Sequence, residues 1–542
     1  MRKELWRSLL ILIAAACAMP AERSAGDTVE WESGDDSSGG PRDPELPRVF
    51  VDTRYAPPTG RTHTVRAGES VQAALDAAQP GDAILLEAGA SFVGNFTLPA
   101  KAGSGWIVIR SAAADANLPP AETRVTPSFA AVLPKLVSPN ANAALRTAPG
   151  AHHYRVIGVE LTVASNVMVN YGIVVLGTPN QRSLDQVPHD IILDRVYVHG
   201  HATLNTNRCV ALNSAATAVI DSYLAECHAK GFDSQAICGW NGPGPFKIVN
   251  NYLEGAGENV MFGGADPSIP NLTPSDIEIR RNHFARPPSW KGVWTVKNLF
   301  ELKHAQRVLV EGNVFENHWA DAQDGSAIVW KSVNENGGAP WSVTRDVTFR
   351  FNTLRNAGGG ITLLARPQEF PAVRASRFKI EHNVFDSINV GPFTGHGRLF
   401  QVIQGVEGIT IEHNTTFTPN MVLIFDVLPQ AANFTFRNNL TTRGQYGVFG
   451  SGKGEGLDAI TFYAAPGHKF ERNVLIGPDN GAVYPADTFL PATVDEVRFV
   501  DYAGANYRLA PGSPYAKKAT DGTDPGADIG AVAKATQGVV RR

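Results

Sequence analysis

One short pattern recurs along this chain at nearly fixed spacing: an alternating apolar strand, then Asn, then a hydrophobic residue. It reads IVNNYL (248–253), IEIRRNHF (277–284), VLVEGNVF (308–315), VTFRFNTL (347–354), FKIEHNVF (378–385), ITIEHNTT (409–416), FTFRNNL (434–440) and FERNVL (470–475). The shared residues are Asn251, Asn282, Asn313, Asn352, Asn383, Asn414, Asn439 and Asn473, in steps of 31, 31, 39, 31, 31, 25 and 34. Weaker copies without Asn come earlier, ILDRVYV (192–198) and VIDSYLA (219–225). A second strand lies between copies, as in NLFELK (298–303), AIVWKS (327–332), GITLLA (360–365), RLFQVIQ (398–404) and VLIFDV (422–427). A single repeat of this size cannot bury its apolar face, whereas stacked repeats can. Asn tolerates a left-handed backbone and can hydrogen-bond its copy in the next repeat. The pattern therefore predicts an all-β solenoid of parallel coils about 4.8 Å apart, with the uneven steps absorbed by loops. A propeller or sandwich does not account for one Asn every 31 residues.

Composition agrees. Of 542 residues, 43% are hydrophobic and 18% charged, and Gly numbers 52, which suits a turn-rich globular chain. Lys+Arg is 48 against Asp+Glu 52, a net charge of −4 with His neutral. That balance argues against a general nucleic-acid binder, which needs a basic excess. Arg2, Lys3 and Arg7 precede the apolar run 9–18, the pattern of a secretory signal over 1–18 and too short for a membrane span. Ala14-Ala15-Ala16-Cys17 offers a second reading, a lipoprotein signal ending at Ala16 with lipid on Cys17. Residues 19–46 read as a flexible, acidic, Ser/Gly-rich linker, and 47–542 as one β-helix domain with a C-terminal tail. The expected location is outside the cytoplasm: periplasmic, anchored at the outer membrane or secreted, as a monomer. Cys209 and Cys238 each lie 13 residues before a register position, Ser222 and Asn251. That spacing predicts two buried thiols stacked in adjacent coils, with a disulfide between them as the alternative.

Near the N-terminus, VRAGESVQAALDAAQPGDAILLEAGASFVGNFTLP (65–99) contains an amphipathic stretch, Ser70–Gln79, with Ser70 as cap. A helix there would cover the open end of the solenoid. With the Asn repeat and the ending NYRLAPGSPYAKKATDGTDPGADIGA (506–531), it resembles right-handed parallel β-helices of the pectin-lyase type over roughly residues 60–532. The resemblance implies a right-handed parallel β-helix with an N-terminal capping helix, acting on or binding extracellular polysaccharide.

Long loops at 254–276, 285–297, 316–326, 332–346 and 365–377 hold Trp290, Trp294, Trp319 and Trp341, aromatic planes suited to stacking on sugar rings. Between 316 and 366 the order DG…KS…RxNTxRxxxGxxxLxxR resembles the chondroitinase-B and alginate lyase family of β-helices. That resemblance implies Lys331 as base, Arg366 as its partner, and Ca²⁺ with Asp324 at one metal carboxylate; no other cofactor is required. The second metal position falls on Ser326, the insert 333–346 interrupts the motif, and Pro367 follows Arg366, all departures from the pattern. The chemistry is coherent. β-Elimination removes a proton α to a carboxylate, and the enediolate that forms needs fixed positive charge. A Lys base must first lose its own proton. Lys303 is expected one coil before Lys331 on the same outward face, with Glu301 able to pair with either, and both are read as substrate-binding. Two alternatives remain open at this point. One is glycoside hydrolysis by paired carboxylates among Glu258, Glu301, Asp321 and Asp324. The other is a non-catalytic glycan-binding or structural β-helix.

Overall fold

The structure, a computed structural model, describes residues 43–367 and 369–540. The signal segment, Cys17 and the linker up to residue 42 lie outside the described residues. The rest is a right-handed parallel β-helix built from three sheets of 14, 13 and 12 strands, every strand parallel to its neighbours. One coil runs Ser275–Arg280 in the first sheet, His283–Ala285 in the second and Phe300–Leu302 in the third. The next repeats it with Ala305–Glu311, Val314–Glu316 and Ile328–Lys331.

The repeated Asn stands at the turn between first and second sheets, and its side chain does what the spacing predicts. The Oδ1 of Asn313 accepts from the backbone N of Asn282 at 2.8 Å and from its Nδ2 at 3.1 Å. Asn313 in turn donates from N and Nδ2 to Oδ1 of Asn352 at 2.8 and 3.0 Å, and from Nδ2 to the carbonyl of Ile279 at 2.9 Å. The same bonds continue from Asn251 to Asn473. Ser222 opens the ladder, its N donating to Asn251 at 2.8 Å. Inward side chains stack in register, as in Phe284 on Phe315 at 4.2 Å, and meet across the core from different sheets, as in Trp330 on Phe378 at 5.7 Å.

Both ends are closed. The predicted helix forms as Val71–Ala77, with Ser70 Oγ accepting from Ala73 N and with Val71 and Leu75 buried. Its Gln72 amide bonds both backbone groups of Thr97 at 2.8 and 3.0 Å, satisfying an edge strand that would otherwise present unpaired groups. At the other end, helix Leu457–Tyr463 follows the last strand of the third sheet and buries Ile460. The C-terminal tail returns along the coils. Val532, on helix Ile529–Ala535, packs with Val384, Phe417 and Tyr507. Residues 45–53 run along the outside of the first sheet, through bonds to Asp346, Asp276 and Lys247.

The cysteine expectation requires correction. Ala211, not Cys209, stands opposite Cys238, because the turn after Cys238 is two residues longer than the turn after Ala211. Cys209 instead forms a disulfide with Cys227, 18 residues away, and Cys238 is a buried thiol. Closing a loop of this length stabilises a fold by roughly 3 kcal/mol. Adding a membrane-permeant reductant during thermal unfolding is therefore expected to lower the Tm, and Cys209→Ala with Cys227→Ala should melt at the same reduced temperature with or without it.

Candidate functional site

The third sheet turns one face outward beneath the long loops, and parallel register lines up its side chains. Met261, Glu301, Val329, Thr362 and Gln401 form one outward row. Two residues further along the strands, the same register sets Lys303 beside Lys331, and Lys331 pairs with Leu364. Arg366 follows two residues after Leu364, on the same side of the chain. The three predicted cations therefore gather on consecutive coils.

Each is held by a specific partner. Lys331 Nζ lies 3.0 Å from Glu301, which is 1% exposed, while the lysine keeps 18% of its side chain in solvent. Lys303 Nζ lies 2.9 Å from Glu335. Glu335 stands on the insert 333–346, which is pinned because Asp266 accepts from the backbone N–H groups of Glu335, Asn336 and Gly338 at 2.7–3.0 Å. Arg366 is exposed and donates to the carbonyl of Ala372 at 3.0 Å. Burial alone would lower the affinity of Lys303 for its proton, but Glu301 and Glu335 outweigh it and hold the ammonium form well above the usual lysine range.

Beside this row lies a second buried carboxylate, Glu258, hydrogen-bonded by Gln235 Nε2 at 2.8 Å. Lys297 and Asp233 are ion-paired next to it. Burial, then the charges of Asp233 and Glu301, push Glu258 up to about 8. Burial acts in the same direction on Glu301, yet Lys331 and Lys303 overcome it and hold that carboxyl down to about 2. Folded Glu258 keeps a proton that the unfolded chain releases near the ordinary carboxylate value, so its contribution to stability is complete below pH ~4.5 and is lost as the pH rises through ~8. Glu258→Gln, which can still accept from Gln235, is expected to melt close to the wild type at pH 5 and above it at pH 9. A pH series of thermal melts checks this; an unchanging difference between the two proteins would contradict it.

The remaining predicted residues are dispersed. Trp319, 1% exposed, and Trp290 form a small core with Ala256 and Val296, so these rings pack loops onto the solenoid and present no free face. Trp294 is partly buried against the same core and stacks on His228 at 3.8 Å. Trp341 donates from Nε1 to the carbonyl of Leu272 at 3.0 Å. Asp321 accepts from the backbone of Val296 at 2.8 Å.

Asp324 is 59% exposed, and its carboxylate lies 3.8 Å from His396 Nε2. Ser326 Oγ is 2.9 Å from the same Nε2 and 2.8 Å from Thr362 Oγ1. Because His396 Nδ1 accepts from the backbone N of Arg398 at 2.9 Å, Nε2 carries the proton and donates to Ser326. Burial holds this imidazole neutral, down to about 4. Ca²⁺ takes six to eight oxygen ligands. One exposed carboxylate, a hydroxyl already committed and an N–H aimed inward do not fit it. Gln235, Lys297, Asp233 and Glu335 carry no local motif, and only the stacking of coils and the packing of their loops bring them to this face.

Two concavities of about 250 and 400 Å³ lie elsewhere, around Gln181 and around Pro270. The second is bordered by Asp276 and Arg307, which are committed to each other at 2.7 Å.

No family model matches the chain, and no curated protein matches it. Among solved structures, the catalytic unit of a thermostable GH87 alpha-1,3-glucanase from Streptomyces thermodiastaticus strain HF3-3 is similar, with TM-score 0.51 and 12% identity over 81% of this chain and 71% of that one. The PL6 family alginate lyase AlyGC gives TM-score 0.46 and 15% identity over 89% of this chain and 59% of that one. A mannuronic acid specific polysaccharide family 6 lyase from human gut microbiota gives 0.42 and 14%, over 81% and 84%. This chain thus spans about three fifths of the length of AlyGC. At such identities the glucanase match establishes the shared fold.

Proposed function

We propose that this chain acts on an acidic, uronate-containing polysaccharide laid across the outward face of the third sheet, and cleaves it by β-elimination. The observation that carries this reading is Lys303 and Lys331 side by side on successive coils over buried Glu301, with Arg366 on the next coil, two residues beyond the position that pairs with Lys331. From strand spacing and rise, the Cα atoms of Lys331 and Arg366 stand roughly 8 Å apart, a separation that lets their side chains flank one sugar ring. Lys331 Nζ takes the proton on C5, the C5–H electrons form the C4–C5 double bond, the C4–O4 bond breaks with its electron pair going to O4, and O4 takes a proton from water. Lys303 and Arg366 supply the fixed positive charge beside the developing enediolate. Glu301, 3.0 Å from Lys331 Nζ, holds the lysine in place.

A second reading has its own observation. Glu258 and Glu301 are pushed in opposite directions, as in the acid and base of a glycoside hydrolase. Incubation of the full chain with alginate, pectate and glycosaminoglycans, followed by ultraviolet absorbance and reducing ends, separates the two. Elimination raises both signals; hydrolysis raises reducing ends alone. Neither signal, with retention on a glycan array, would leave a non-catalytic binder.

The same reading places the protein outside the cytoplasm as a monomer, tethered through lipid on Cys17 or released after cleavage within 1–18. The Cys209–Cys227 disulfide supports an oxidising compartment. Incorporation of labelled palmitate that disappears in Cys17→Ser would establish the tether.

A further inference from the structure

On the first sheet, far along the solenoid from Lys331, the register stacks two polar pairs. His152 stands opposite His189, and by the same register His153 stands opposite Asp190. One ligand atom from each of His153, His189 and Asp190 lies within 4.8 Å of the other two, and all three side chains are half-buried. The rings of His152 and His189 stack at 4.8 Å, 12° from parallel. His189 Nδ1 lies 2.6 Å from Asp190 Oδ2, and His152 Nδ1 lies 2.8 Å from His153 Nδ1. Two imidazole nitrogens that close need a proton or a cation between them. Trp106 packs its ring against His153 at 5.4 Å, giving the cluster a dry wall on one side while solvent reaches the other.

We propose that His153, His189 and Asp190 bind a divalent transition metal, with zinc the ion their chemistry fits best, and with His152 as the neighbour that orients His153. Imidazole nitrogen and carboxylate oxygen at about 2.0–2.2 Å are ordinary zinc ligands, and ligating histidines usually lean on an outer hydrogen-bond partner. Side-chain rotations on the order of 1 Å close the observed spacing to that of a tetrahedral site, with water completing it. His153 and His189 belong to successive coils, so the ion would staple the N-terminal part of the solenoid. This site does not depend on the proposed glycan chemistry.

The test uses the full chain without a histidine tag, stripped with chelator and titrated with Zn²⁺ by calorimetry, followed by desalting and metal analysis. The wild type is expected to retain one equivalent and to melt roughly 2–4 °C higher with zinc than without. His153→Ala with His189→Ala, and separately Asp190→Asn, should lose that equivalent and the shift, while the control His201→Ala, a half-buried histidine outside the cluster, keeps both. Melting in chelator verifies that each variant is folded. Equal zinc uptake by the double variant, or none by the folded wild type, would overturn the assignment.

Discussion

Lys331→Arg is expected to reduce glycan cleavage by about 10³-fold, within the range measured for loss of a general base, while leaving the melting temperature near that of the wild type. Arginine keeps the positive charge opposite Glu301 but cannot give up its proton. Lys331→Ala should be equally inactive and also less stable, because Glu301 is fully buried and loses the cation 3.0 Å away. The two variants together separate base from electrostatic prop. If arginine supported cleavage near the wild-type rate, Lys331 would be a clamp for substrate charge and the proton acceptor would be another group. Initial rates on the responsive glycan, with binding measured in parallel, check this.

The second large effect is on stability. Asn313→Ala is expected to cost roughly 3–5 kcal/mol, since the side chain both gives and receives ladder bonds. Without Oδ1, the N–H and Nδ2 groups of Asn282 lose an acceptor, and the Ile279 carbonyl and Asn352 Oδ1 lose a donor. These groups are buried, at about 1–3 kcal/mol for each left unpaired. Asn313→Asp should fare no better, because an oxygen would face the Ile279 carbonyl and Asn352 Oδ1. Denaturant unfolding measures both. A cost below 1 kcal/mol would mean that the stacked apolar rows carry the coil and the Asn ladder is incidental.

The fold was legible because its signals are local and repeated. Asn at 251 through 473 marks one position per coil, and Ser70 followed by Val71 and Leu75 marks a capped amphipathic turn. Helix Leu457–Tyr463 carries no comparable mark, its N-cap being Gly456 with no side-chain bond. What escaped depends on loop length, which a repeat count treats as constant. Two extra residues after Cys238 move it away from Cys209, and the bond to Cys227 closes across two different sheets. The site divides in the same way. Glu301, Lys303 and Lys331 lie on predicted strands, so alternation already places them outward. Trp290 and Trp319 sit in loops whose packing no periodicity describes, and both rings turn into a core. The Ser326–His396 contact spans 70 residues, and the His153–His189–Asp190 cluster has no H-x-x-x-H spacing, because two coils assemble it.

The most direct test of the account is the mass of the products released by the full chain from the uronate polysaccharide that it cleaves. Elimination leaves one new end unsaturated and therefore lighter by one water than a hydrolysed end. The account predicts a ladder of such light fragments, absent with Lys331→Arg and formed without added Ca²⁺. A ladder in which every fragment carries its full complement of water, persisting in Lys331→Arg and abolished in Glu258→Gln, would contradict it and assign hydrolysis to the two buried carboxylates.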